Sequence, residues 1–180
     1  MIIIRAARTG MSHEHTTPHL TLTTQDIIWQ EVEKTQTSAS KEPMGLSRID
    51  GMRADGVTPT PWSRAKPLAW AITVTDTYAA SHIQATSTSS GAIADKSAKK
   101  KTTKYCNLTA SHLFIPIAIE TSSIWCSKSA QFIEELGKWI TAITNEPLKT
   151  TYLFQSLSVT LQRGNAFTFH NTILESSIST

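Results

Sequence analysis

A mixed α/β (α+β) fold, with a sheet of about four strands flanked by helices, is predicted by three features of this 180-residue sequence. Leu68 to Thr77 alternates with a period of two. Leu68, Trp70, Ile72, Val74 and Asp76 point one way, and Ala69, Ala71, Thr73, Thr75 and Thr77 point the other. Leu113 to Ile119 is an apolar run broken only by Pro116 and followed by Glu120, as expected of a strand covered on both faces. After it, apolar residues recur at helical spacing: Phe132, Leu136, Trp139 or Ile140, and Ile143 between Ser127 and Thr144, then Leu153, Leu157 and Leu161.

In chain order, residues 1 to about 24 are rich in Thr, His and Arg without apolar periodicity, and are expected to form a disordered tail. His13, His15 and His19 lie there without a carboxylate or Cys partner and read as solvated. One domain is expected over residues 25–174, with 175–180 frayed. Asp26 to Lys34 places Ile28 and Val32 on one side, with Trp29 beside them, and predicts a short amphipathic helix. A brief strand fits between Ser38 and Leu46. Gly51, Gly56, Pro59, Pro61 and Pro67 then mark a turn-rich passage leading to the strand at Leu68. Ser87 to Gly91 reads as a loop and N-cap region before a helix over Ala92 to Tyr105. Pro116 removes a ladder donor, which predicts a bulge or an edge strand. The last helix is expected from about Thr150 to Arg163, stopped near Gly164.

The composition bounds the function. With 39% apolar residues and five Trp the chain can bury a core, and a net charge of +3 leaves any basic surface to local clustering. Cys106 and Cys126 show no paired ligand spacing, which fits a reducing compartment. The apolar run in Met-Ile-Ile-Ile-Arg is too short for a signal sequence, and no later window approaches a membrane span, so an intracellular protein without a membrane partner is expected. No Gly-rich phosphate loop, zinc pattern or nucleophile elbow points to a small-molecule substrate.

Two stretches carry candidate chemistry. Arg53-Ala54-Asp55-Gly56 ends a turn in an acid, and after fifteen intervening residues, where a second strand acid would complete a metal site, stands Ala71. Asp76 cannot replace it, because 71 and 76 differ by an odd number and face opposite sides of the strand. Glu120, at the end of the neighbouring strand, is the better substitute. The second stretch is the helix with Lys96, Lys100 and Lys104 at i, i+4 and i+8, joined by Lys99 and Lys101. Each has a plainer reading: Asp55 before Gly56 as a turn residue, Glu120 as a cap of the helix that follows it, the lysines as a solvated face, and Trp62, Trp70, Trp125 and Trp139 as core or lid.

The run Glu42 to Trp62, then Leu68 to Thr77, Thr103-Lys104-Tyr105, Phe114 to Thr121 and Leu161 to Ala166 resembles, in that order, a segment found downstream of reverse transcriptase in animal non-LTR retrotransposon-derived open reading frames. The resemblance covers roughly residues 42 to 173. Helix, short strand, turn, strand, strand, helix, strand and further helices is also the order of the restriction-endonuclease-like (PD-(D/E)xK) core. The close family typically reads Arg-Pro-Asp-Gly and Trp-Asp-x-Thr. This chain has Ala54 for the proline, Ala71 for the strand acid, Thr73 in place of the strand lysine, and Glu120-Thr121-Ser122-Ser123 where the family has Glu-Thr-Leu-Gly.

What the resemblance implies is a degenerate endonuclease-like domain. An active one would need Mg2+ held by Asp55 and Glu120, with Lys104 orienting the nucleophile. An inactive one would bind DNA or RNA through Lys96, Lys99, Lys100, Lys101, Lys104 and Arg53 without cutting it, in the nucleus if functional. A non-functional transposon fragment or an interaction remnant is the third alternative.

Overall fold

The large side chains of the central strand decide which face of the sheet becomes the core. The computed structural model describes residues 18–42 and 54–178. Along the chain it forms α1 (Pro18–Glu33), β1 (Ser40–Lys41), β2 (Gly56–Ser63), β3 (Lys66–Thr75), α2 (Ile83–Thr88), α3 (Ala92–Lys104), a 3-10 turn at Cys106–Ala110, β4 (Leu113–Glu120), α4 (Ser127–Thr144) and α5 (Lys149–Ile178). The strands lie in the order β1-β2-β3-β4. The first three are antiparallel, and β4 runs parallel to β3 in a register that joins Leu68 to Leu113 and Thr75 to Glu120. This is the mixed α/β fold with a four-stranded sheet flanked by helices that the sequence predicts, with β2 and the short α2 added to the expected elements.

Leu68, Trp70, Ile72 and Val74 of β3 meet Ile117 and Ile119 of β4 and the apolar stripes of three helices: Leu20, Ile28 and Val32 of α1, Ile133, Leu136 and Ile140 of α4, and Leu153, Leu157 and Leu161 of α5. Most of these side chains are fully buried, and each contributes about 1.5–3 kcal/mol relative to exposure. Trp70 needs a flat floor, and Gly56 supplies it, since a Cβ there would stand 2.0 Å from the indole. Trp62 joins the same core and stacks on Trp139 at 4.4 Å between ring centroids. On the opposite face α3 lies against β3 and β4, where Ala94 and Ala98 pack with Ala118, and Tyr105 packs with Ala69, Ala71, Val57 and Phe114.

Several expectations about boundaries need correction. The helix α1 starts at Pro18, and Leu20 is buried against α5, so residues 18–24 belong to the domain; the remainder of the expected tail lies outside the described residues. Gly164 does not stop α5. It lies within the helix because α1 crosses so closely that a Cβ there would overlap the Leu20 side chain at 1.8 Å. The helix then runs to Ile178, into the stretch expected to be frayed. The passage read as turns contains β2, joined to β3 by a tight hairpin in which Arg64 and Ala65 both take positive φ, the twist that such turns require. Pro116 does mark an edge strand, and α4 spans Ser127–Thr144 as its periodicity predicts, ended by Asn145 in the left-handed region.

Candidate nucleic-acid interface

Asp55 is held by its backbone before its side chain acts. Its N–H donates to the Trp70 carbonyl at 2.9 Å, and its own carbonyl accepts from Glu42 N at 3.1 Å and from the Gln25 side chain at 2.8 Å, tying together β3, the end of β1 and α1. The carboxylate then accepts from Ile72 N at 2.5 Å. Asp55 thus bonds both chain neighbours of Ala71, which is where the spacing places the missing acid. Burial pushes the Asp55 carboxyl above the usual carboxylate range. The Ile72 N–H and the Lys101 and Lys104 ammonium groups pull it down, and Glu42 adds to the rise.

The surroundings are closed rather than cleft-like. Ala71 is fully buried beneath Tyr105, whose ring meets Phe114 at 5.0 Å. The small face of β3, which on sequence grounds fitted either a cleft or a closely packed helix, lies under a helix. Thr73 is buried there, and its hydroxyl has no hydrogen-bond partner.

Glu120 is not brought to Asp55. It stands opposite Thr75, four residues beyond Ala71 along β3, or about 13 Å at the rise of a strand. It is fully buried and already engaged, accepting from Ile93 N at 3.1 Å and Ala94 N at 3.2 Å. Gly91, the N-cap of α3, has no side chain to do this, so a strand residue caps the helix from outside. The expectation that Glu120 pairs with Asp55 is corrected on this geometry. Asp76 instead closes a local turn through Tyr78 N at 3.0 Å.

The five expected lysines divide by exposure. Lys101 and Lys104 are half-buried and near enough to Asp55 for their charges to act on its carboxyl, and Lys104 also lies over the Tyr105 ring at 5.5 Å. Lys96, Lys99 and Lys100 are exposed on the outer side of α3, where with Lys104 they line an open concavity. Arg53, His13 and His15 lie outside the described residues; His19 is on α1, stacked 6.0 Å from Phe167.

These residues do not fit a magnesium ion. Such an ion takes hard oxygen ligands and usually one or two protein carboxylates. Here one Asp55 oxygen is engaged by Ile72 N, two ammonium groups share the neighbourhood, and Ala71 offers a methyl group. Among the described residues no group of three or more His, Cys, Asp or Glu is placed to share a metal, and no helix is long and apolar enough to cross a membrane.

Glu42, beside Asp55, is a residue that reading by strand parity passes over. Its one signal in the sequence is that it opens the run carrying the resemblance. No protein-family model matches the chain, and no curated protein matches it in sequence.

Proposed function

We propose that this chain is a retrotransposon-derived, restriction-endonuclease-like domain that binds nucleic acid through α3 without cutting it. The observation that supports the reading best is the division of labour among the lysines. Lys101 and Lys104 place positive charge beside the Asp55 carboxyl, where a nuclease of this layout would hold its metal, while Lys96, Lys99 and Lys100 lie exposed along one helix, a basic face suited to phosphates. Contacts of this kind are sequence-independent and weaken steeply with salt, because each phosphate neutralised releases counterions. The domain would then act where DNA or RNA is present, in the nucleus.

The alternative, an active magnesium-dependent nuclease, would have to recruit Glu42, the other carboxylate beside Asp55, because Glu120 is too far along the sheet. One preparation tests both. Fluorescence anisotropy on labelled duplex DNA should show binding that falls as salt rises, with Lys96→Ala and Lys100→Ala each flattening the log-log slope by about 0.9. Absence of binding at low salt, or a slope of zero, sinks the binding reading. Supercoiled plasmid incubated with magnesium should stay intact; nicking that Asp55→Ala abolishes would establish the nuclease instead. Ala71→Asp restores the second strand acid, and activity gained by that single change would show that the rest of a cutting site is still in place.

A further inference from the structure

We infer that the track for nucleic acid does not end on α3 but crosses into the groove between α3 and the start of α4, where it seats the phosphate backbone of a single strand. The inference rests on the nucleic-acid reading above and names the surface and the form of nucleic acid that fits it.

A groove of about 370 Å³ separates the two helices, with Lys99, Thr102 and Thr103 on the α3 side and Ser127 and Lys128 on the α4 side. Lys99 and Thr103 line both this groove and the outer concavity of α3, so the two surfaces form one continuous path that places Lys96 and Lys100 at one end and Lys128 at the other. A cation stands on each bank, hydroxyls lie between them over an apolar floor that includes Ala98 and Cys126, and among the described residues no aromatic ring lines the groove. That chemistry matches a row of phosphates rather than a stack of bases. Asp95 is the one acid of the path and lines both of its parts. A cavity of about 370 Å³ has room for one stretch of sugar–phosphate backbone, and a flexible single strand can follow its turn from α3 to α4.

The position of Lys128 strengthens the assignment. It occupies the first turn of α4, where the helix dipole disfavours a cation, and that turn carries no acid to offset it. Folding alone gains nothing from a lysine there, and a departure of this kind from local preference is what a binding role produces.

The test uses the full chain and a labelled single-stranded DNA oligonucleotide, with affinity measured over a series of salt concentrations. Lys128→Ala should weaken binding and lower the log-log salt slope by about 0.7, the value for one phosphate of a single strand, and Lys128→Arg should restore it. Lys128 is exposed and its charge is disfavoured at the start of α4, so neither variant is expected to unfold at a lower temperature than the parent, which excludes misfolding as the cause. An unchanged slope in Lys128→Ala alongside a reduced slope in Lys96→Ala overturns the groove and leaves the α3 surface standing. An unchanged slope in both overturns the nucleic-acid reading as well. A Lys128→Ala loss as large on duplex as on single strand also overturns the single-strand seat.

Discussion

The face of β3 that carries Leu68, Trp70, Ile72 and Val74 is sealed by bulk, with three helices contributing large side chains; the face that carries Ala69, Ala71, Thr73 and Thr75 is sealed by proximity, with one helix lying close over small ones. On the first face volume and shape dominate, although the buried Trp70 indole N–H finds no hydrogen-bond partner among the described residues. Proximity on the second brings backbone and side-chain polar groups together: Asp55 meets Ile72 N, Glu120 meets the first N–H groups of α3, and Thr73 is left without a partner. Any functional residues of the sheet are therefore on the thin side, and the structural cost of altering them is different in kind.

The comparison is broken most forcefully on the bulky side. Trp70→Ala removes the largest fully buried side chain and leaves its space above Gly56 empty, with an expected loss of about 3–5 kcal/mol in urea unfolding. A loss below about 1 kcal/mol would mean that the helices, not the strand, organise that face. On the thin side Glu120→Ala strands the Ile93 and Ala94 N–H groups, with an expected cost of about 1–3 kcal/mol. Glu120→Gln keeps an acceptor and should cost less; equal losses for the two would show that charge, not hydrogen bonding, caps α3.

The smallest effect is a stabilisation. Burial holds the folded Asp55 carboxyl above its ordinary value of 3.8, so the folded state keeps a proton that the unfolded chain gives up. The stability tied to this group is complete below that value and is lost as pH rises through the higher folded one. Asp55→Asn should thus melt at the same temperature as the parent at about pH 3 and at a higher temperature near neutrality. A variant that is less stable at neutral pH would show that the Ile72 bond and the two lysines outweigh burial.

Much of this architecture was legible because periodicity reports burial. The alternation in β3 separates the two faces correctly, and the apolar stripe of α4 gives its ends. What escaped was contact between distant segments. Gly164 looks like a terminator until Leu20 is seen against it, and β2 is hidden by Pro59 and Pro61, which suit a strand only where its edge lacks a partner. Glu120 shows the same limit within the candidate site. Its place at a strand end was predicted, but the helix it caps begins 28 residues earlier, at Ala92, and nothing in the local sequence announces the pairing. Asp55 stands out in the sequence because the turn that places it is local; Lys101 and Lys104 read there as part of one lysine row, since exposure on α3 depends on which side meets the sheet.

The strand edges carry one more consequence. At β4, Pro116 donates no hydrogen bond, and Ser129 from α4 takes up the outward groups on either side, accepting from Ala118 N at 2.8 Å and donating to the Pro116 carbonyl at 3.1 Å. At the other edge, among the described residues, β1 pairs with Gly56 and Val57, and the length of β2 beyond that pairing contains Pro59 and Pro61. Both margins of the sheet are thus poor templates for a further strand, which protects a Thr- and Ser-rich chain of modest charge from joining its own copies edge to edge.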